Sequence, residues 1–253
     1  MPEFLVFQLY GAMAAWGDIA VGEHRPTLGH PSKSAIMGLL AAALGIERSD
    51  QERQQQLNQH YSMAVCVHAA GELLRDYHTI QVPGGKRQYA TRRDELLTDE
   101  LNLNTILSQR DYRTDAVYVV AIWGSHEAMP FSLEQLKQHL ECPIFNLYLG
   151  RKSCPISLPL QPKILQDVTL KQAFAQYPLN SSEAMRYGSL APLLPSQRWV
   201  SYYWETTHLA DDALGELKAS MTYPRRDKVL SRQRWQFSNR DECYSADMLG
   251  EDS

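Results

Sequence analysis

The spacing of apolar positions divides the chain into a regular first part and a looser second part. Phe4–Leu9 (FLVFQL) is a short apolar run suited to a buried strand. Pro31-Ser32 then offers a helix start in which Ser32 caps free backbone N–H groups. Lys33–Gly45 (KSAIMGLLAAALG) is apolar on nearly every face, which predicts a buried helix. Gly38 within it costs about 1 kcal/mol relative to alanine, a cost that close approach of another backbone would offset. Tyr61–Ala69 and Arg75–Ile80 read as strands joined by a turn near Ala70-Gly71, and Asp115–Gly124 (DAVYVVAIWG) is the strongest strand pattern in the chain. Ser132 and Gln135 form a capping box, with Phe131 and Leu136 as a hydrophobic staple, for a helix over Leu133–Leu140. Phe145–Leu149 is read as one more strand, ending at Gly150.

Between these elements lies a stretch of another character. Pro83–Gln109 opens on Pro-Gly-Gly, is polar and charged, and shows no clear period before Leu101–Leu107, so it is read as an insertion extending from the core. With the insertion and one extra strand set aside, the order is βαββαβ. An α+β, ferredoxin-like core is therefore expected over residues 1–155, the plan that RNA-recognition modules share. Residues 156–240 read as a smaller C-terminal region holding a helix at Leu170–Tyr177, a strand at Trp199–Glu205 and a basic stretch from Tyr223 to Arg240. Residues 241–253 read as a disordered tail.

Composition narrows the function classes. The chain has 253 residues, 44% hydrophobic and 21% charged, which is globular. No run of about 18 apolar residues is present, and Met1-Pro2-Glu3-Phe4 has no basic region ahead of an apolar one, so neither a membrane span nor a signal peptide is expected. The four cysteines are scattered without Cys-x-x-Cys spacing, which suggests neither a zinc site nor a disulfide framework and fits a cytoplasmic protein. The net charge of −4 argues against a general nucleic-acid binder. The basic residues nevertheless gather locally, at Arg25/Lys33, Arg110/Arg113, Arg151-Lys152 and Arg225-Arg226-Lys228 among other places. Such patches fit either a grip on a short RNA or an ordinary solvated surface.

No catalytic set, metal-ligand spacing or cofactor fingerprint emerges: His-Glu-x-x-His, Gly-x-Ser-x-Gly and the nucleotide-binding Gly-x₄-Gly-Lys-Ser/Thr are all missing. Gly150-Arg151-Lys152-Ser153 is a basic turn at which backbone N–H groups and two cations can meet phosphates, with Tyr148 offering a stacking face. Its plain alternative is a surface turn with two ordinary charges. Gly22–Lys33 (GEHRPTLGHPSK) leads into a helix N-terminus, a natural anion site, and Arg25 can fork onto a phosphate or a guanine edge. Here the alternative is a Pro/Gly connector. Tyr77 and His78, with Lys86 nearby, could serve metal-independent RNA cleavage, but adjacent strand residues face opposite ways. Trp16 is either a core or subunit-contact residue or a stacking platform.

Several segments, in order, resemble the CasD family. They are Gly11-Ala12-Met13-Ala14-Ala15-Trp16-Gly17, Arg25-Pro26-Thr27, Pro31-Ser32-Lys33-Ser34 with the helix ending Leu44-Gly45-Ile46, Arg75-Asp76-Tyr77-His78-Thr79, Ser108–Tyr112, Tyr148–Pro155 (YLGRKSCP), and Pro224-Arg225-Arg226 through Arg234. The resemblance implies an RNA-recognition-like core with a thumb-like insertion (83–109). It also implies a non-catalytic subunit of the type I-E CRISPR surveillance complex, Cascade, capping the 5′ handle of the guide RNA. The backbone subunits and the large subunit would be its neighbours, and target DNA would be met only through the complex. Residues expected at the RNA are Arg25, Thr27, Lys33, His78, Arg110, Tyr148, Gly150, Arg151 and Lys152. The alternative carried with this reading is a guide-processing endoribonuclease, as in type I-C systems.

Overall fold

Strand β1 (Glu3–Tyr10) lies one strand in from an edge of the principal sheet, and its apolar run is buried as its sequence demands. The computed structural model describes residues 3–83, 88–97, 103–124, 129–179, 188–194, 199–231 and 234–248. After β1 come the two-residue strands β2 (Met13–Ala14) and β3 (His24–Arg25), then helix α1 (Lys33–Ala43). Ser32 caps α1 as expected, its hydroxyl accepting from the Ala35 N–H at 3.1 Å. Helix α2 (Gln51–His60) precedes β4 (Tyr61–Ala69). The sequence QERQQQLNQH offers no apolar face from which α2 could be foreseen; Asp50 caps it, and Leu57 is its buried anchor.

Strands β5 (Glu72–Pro83) and β6 (Leu103–Thr114) pair antiparallel along their whole lengths, with helix α3 (Arg92–Leu97) in the connection. The insertion read as 83–109 therefore includes half of β6, and its base reaches back to Glu72 and forward to Thr114. The apolar spacing of these strands is irregular because both faces of the hairpin are largely solvated.

Strand β7 (Val117–Gly124) is buried at all eight positions. Helix α4 (Leu133–Glu141) carries the expected capping box. Strand β8 (Lys163–Gln166), helix α5 (Leu170–Gln176) and strands β9 (Trp199–Trp204), β10 (Met221–Ser231) and β11 (Gln236–Met248) complete the chain. The fold is α+β.

The principal sheet has the order β10-β11-β9-β4-β7-β1-β8, with every neighbouring pair antiparallel. Within it, β4-β7-β1-β8 with α1 and α4 as crossovers reproduces the strand order of a βαββαβ unit. The fourth strand of that unit is not the expected Phe145–Leu149. That segment is irregular and mostly exposed, making one isolated bridge between Tyr148 and Pro155; β8 takes the edge position beside β1. The apolar residues at 144–148 misled the pattern because they cover α1 instead of pairing: the Ile144 and Phe145 N–H groups donate to the Ala43 and Ala42 carbonyls at the helix's C-terminus, at 3.0 and 3.1 Å. The C-terminal region contributes β9, β10 and β11 to the same sheet. The tail expected to be disordered from residue 241 is strand through Met248, since β11 is held between β10 and β9; residues 249–253 lie outside the described residues.

Two apolar clusters sandwich the sheet. Tyr118, Val120 and Ile122 of β7 pack with Ile36 and Leu40 of α1 and Leu136 of α4. The alternate residues Val117, Val119, Ala121 and Trp123 pack with Leu170 and Phe174 of α5. A strand buried on both faces reads as one continuous apolar run, which is why β7 was the clearest signal in the chain. Covering the second face also closes the sheet surface that RNA-recognition modules leave open. Trp16 is a core residue, 1% exposed and edge-on to Tyr118 at 5.6 Å.

Candidate nucleic-acid interface

A second, smaller sheet assembles the basic residues. Strand β3 pairs parallel with β6, placing Arg25 opposite Arg110, and β6 pairs on its other side with β5, placing Asp76 opposite Arg110. The Asp76 carboxylate lies 2.9 Å from Nδ1 of His78, whose side chain is partly exposed on β5. Two arginines directly opposite each other on neighbouring strands repel unless an anion comes between them. At the base of the hairpin, Arg75 clasps Asp111 through two hydrogen bonds of 2.8 and 3.0 Å, and His24 Nε2 lies 2.9 Å from the same carboxylate. The Arg75 hydrogen bonds lead in holding the Asp111 carboxyl down at about 2, against the opposing effect of burial.

The turn at Gly150 joins this sheet from the far end of the chain. Gly150 has φ +84, and a Cβ there would lie 1.9 Å from the Ala15 carbonyl oxygen, so only glycine fits the turn against β2. Arg151 donates from Nη1 to the Asp111 carbonyl and from Nη2 to the Arg25 carbonyl, each at 3.1 Å, and its guanidinium stacks 4.8 Å over the Tyr112 ring. Arg151 therefore ties the turn to β3 and β6, and this positions it more than it frees it. Lys152 is exposed, and Tyr148 is 39% exposed. Thr27, also expected at the RNA, is turned inward: its hydroxyl oxygen accepts from the Trp16 N–H at 2.8 Å.

Beside this corner runs a cleft of about 1620 Å³. Its floor is the outer face of α1, including Ser34, Ala35, Gly38 and Ala42. Gly38 thus keeps this floor low. Arg25, Phe145, Tyr148 and Gly150 line the cleft on the basic-turn side, and Arg48, Arg226, Trp235 and Phe237 line it where the β10–β11 hairpin reaches the loop between α1 and α2. The hairpin residues were visible in the sequence only as part of a basic stretch; nothing local announced that they meet Arg48.

Lys33 requires a correction. It is 4% exposed, with its ammonium 2.9 Å from the Glu205 carboxylate, and its backbone N–H donates to Asp227 at 2.8 Å. It belongs to a buried charged cluster that also holds Arg225, Arg240, Glu242 and His30. Arg240 binds Asp227 at 2.7 Å, Arg225 binds Glu242 at 3.0 Å, and His30 stacks on Tyr203 at 3.6 Å. Burial alone would raise the Glu242 carboxyl, but His30, Arg225 and Arg240 together hold it well below the usual range. Burial also lowers the His30 imidazole, aided by Arg225. Lys33 was read as a surface cation at a helix start because its partners lie about 170 to 200 residues further along the chain.

The residues weighed for cleavage do not converge. Tyr77 pairs with Gln109 and His78 with Ser108 on successive rungs, so the two side chains leave opposite faces of the hairpin, and Lys86 lies outside the described residues. Among the described residues, no helix is long and apolar enough to cross a membrane.

The chain is 35% identical over 171 residues to the CRISPR system Cascade subunit CasD of Escherichia coli (strain K12), an alignment spanning 63% of this chain and 70% of that protein. Among solved structures, a chain of a CRISPR RNA-guided surveillance complex superposes with a TM-score of 0.63 at 22% identity, covering 97% of this chain and 90% of that one. Another, described as the crystal structure of a Cas protein, gives 0.58 at 24% identity over 97% and 94% of the two chains. These two likenesses bear on the fold. The family model for CRISPR-associated protein (Cas_Cas5) matches residues 4–241, nearly the whole chain, and the protein therefore belongs to that family.

Proposed function

We propose that this chain is a non-catalytic subunit of a type I-E Cascade complex and grips the 5′ handle of the guide RNA. The observation that carries the reading is the convergence of Arg25, Arg110 and the Gly150–Lys152 turn from three distant parts of the sequence, beside an open cleft that Arg25, Tyr148 and Gly150 line. Arg25, Arg110, Arg151 and Lys152 outnumber the carboxylates there, Asp76 opposite Arg110 and Asp111 already held by Arg75 and His24. This excess of cations suits the phosphates of a short single strand, as Tyr148 suits an unstacked base. Kinship with the Cascade subunit CasD supports the assignment to such a complex. The backbone and large subunits are then its protein neighbours, target DNA is reached only through the assembled complex, and the compartment is the cytoplasm. The β5–β6 hairpin serves as the thumb, with His78 exposed on it.

The test is incubation of the purified chain with end-labelled repeat RNA in the absence of metal. Retention is scored against a scrambled-handle RNA, and the RNA is then run on a denaturing gel. Handle-selective retention of intact RNA is the expected result. Discrete cleavage would replace this reading with the processing endoribonuclease. A folded sample that retains no RNA, alone or with its partner subunits, would remove the RNA-binding role.

A further inference from the structure

The most exposed aromatic residue in the cleft is none of those expected at the RNA. Trp235 sits in the β10–β11 turn with 61% of its surface exposed, although indole is among the side chains whose burial is most favourable. Its backbone has φ +52, a left-handed conformation that a bulky side chain avoids unless its surroundings impose it. The guanidinium carbon of Arg48, from the loop after α1, lies 3.8 Å from the centre of the indole ring. Phe237 flanks the ring at 6.4 Å, and Arg226 on β10 donates from Nε to the Phe237 carbonyl at 3.3 Å. An indole supported by a cation and held by a strained turn is kept from collapsing onto the surface.

We propose that Trp235, braced by Arg48, is a stacking platform for one unpaired base of the RNA in the cleft, with Arg226 beside it for an adjoining phosphate. The inference rests on the RNA-binding reading above and adds a second contact point at the other end of the cleft from the Gly150 turn. An RNA strand is favoured over a protein partner by the lining. The floor offered by Ser34, Ala35 and Gly38 leaves depth for a flat ring, and aromatic residues enter from two segments, Phe145–Tyr148 and Trp235–Phe237. Arg25, Arg48 and Arg226 outnumber the carboxylates at Asp18 and Glu47; the remaining acid, Asp227, is already bound by Arg240. Alternating arginine and aromatic groups along a groove is the pattern that holds single strands.

The test uses the full chain and single-stranded repeat RNA labelled at one end, with affinity read by anisotropy over a range of salt. Trp235→Ala should weaken binding by roughly 5- to 30-fold, as loss of one stacked base does, with the salt slope unchanged. Trp235→Phe should recover most of the affinity. Arg226→Ala should instead lower the slope by about one. RNAs carrying a single abasic site, moved along the handle, should show one position at which the loss and the Trp235→Ala loss fail to add. Equal affinity of a folded Trp235→Ala variant and the wild type would overturn the platform while leaving RNA binding intact. Loss of co-assembly with another subunit at unchanged RNA affinity would make the surface a protein contact and also overturn it. If the wild type retains no RNA with or without partner subunits, the platform and the RNA-binding reading fall together.

Discussion

Two groups of charged residues lie at opposite ends of the loop between β3 and α1, and they differ in what surrounds their cations. At the α1 end, Lys33, Arg225 and Arg240 are matched by Glu205, Asp227 and Glu242 in a nearly water-free cluster. At the β3 end, Arg25 and Arg110 stand opposite each other on neighbouring strands with Lys152 exposed nearby, and Arg25 and Arg151 donate only to backbone carbonyls, which leave their charge unneutralised. In the sequence both groups are simply basic residues. The first joins the C-terminal hairpin to the N-terminal core; the second leaves positive charge for something outside the chain to neutralise. The lesson is that a cation's role is set by whether a carboxylate reaches it from elsewhere in the fold.

The comparison breaks most sharply if Lys33 is removed. Lys33→Met leaves the buried Glu205 carboxylate without its cation, and stability should drop by about 3–5 kcal/mol in denaturant unfolding. The salt slope of RNA binding by the remaining folded protein should not change. A reduced slope would return Lys33 to the interface.

Gly150→Ala comes next. It forces a side chain onto the Ala15 carbonyl at positive φ, costing at least about 1–3 kcal/mol and displacing Arg151 from β3 and β6. RNA affinity should fall along with stability, and an unaltered affinity would detach the turn from the site.

Acid should separate the clusters by a smaller amount. Glu242 and His30 both have folded values depressed below their ordinary values of 4.5 and 6.5. Their stabilisation is complete above those values and is lost as pH falls through the folded ones. The melting temperature should therefore decline as pH is lowered from 7 towards 4, and His30→Gln should flatten the first part of that decline. A melting temperature constant over this range would show that the cluster does not couple protonation to folding.

The smallest stability effect belongs to the open corner. Arg25→Ala and Arg110→Ala should leave the melting temperature nearly unchanged while each lowers the salt slope by about one, if each contacts one phosphate. Arg151→Lys should fail to restore what Arg151→Ala loses, because an ammonium cannot span two carbonyls and stack on Tyr112.

The elements that announced themselves were those whose own residues carry the reason for their structure. β1, β4 and β7 are predominantly apolar, Ser32 and Ser132 cap their helices with local hydrogen bonds, and Gly150 answers to its own backbone angle. The family resemblance was equally legible, because ordered motifs survive in the chain itself. Tertiary structure alone decided the rest. Helix α2 depends on what Leu57 packs against, the fourth core strand depends on which segment reaches the edge of β1, and the apolar residues 144–148 serve the end of a helix instead of a ladder. Lys33 is buried by Glu205 and Asp227, whereas Trp235 is held open by Arg48, and in each case the deciding partner lies more than 150 residues away. Burial and pairing at such separations are properties of the packed chain, and no local pattern of residues encodes them.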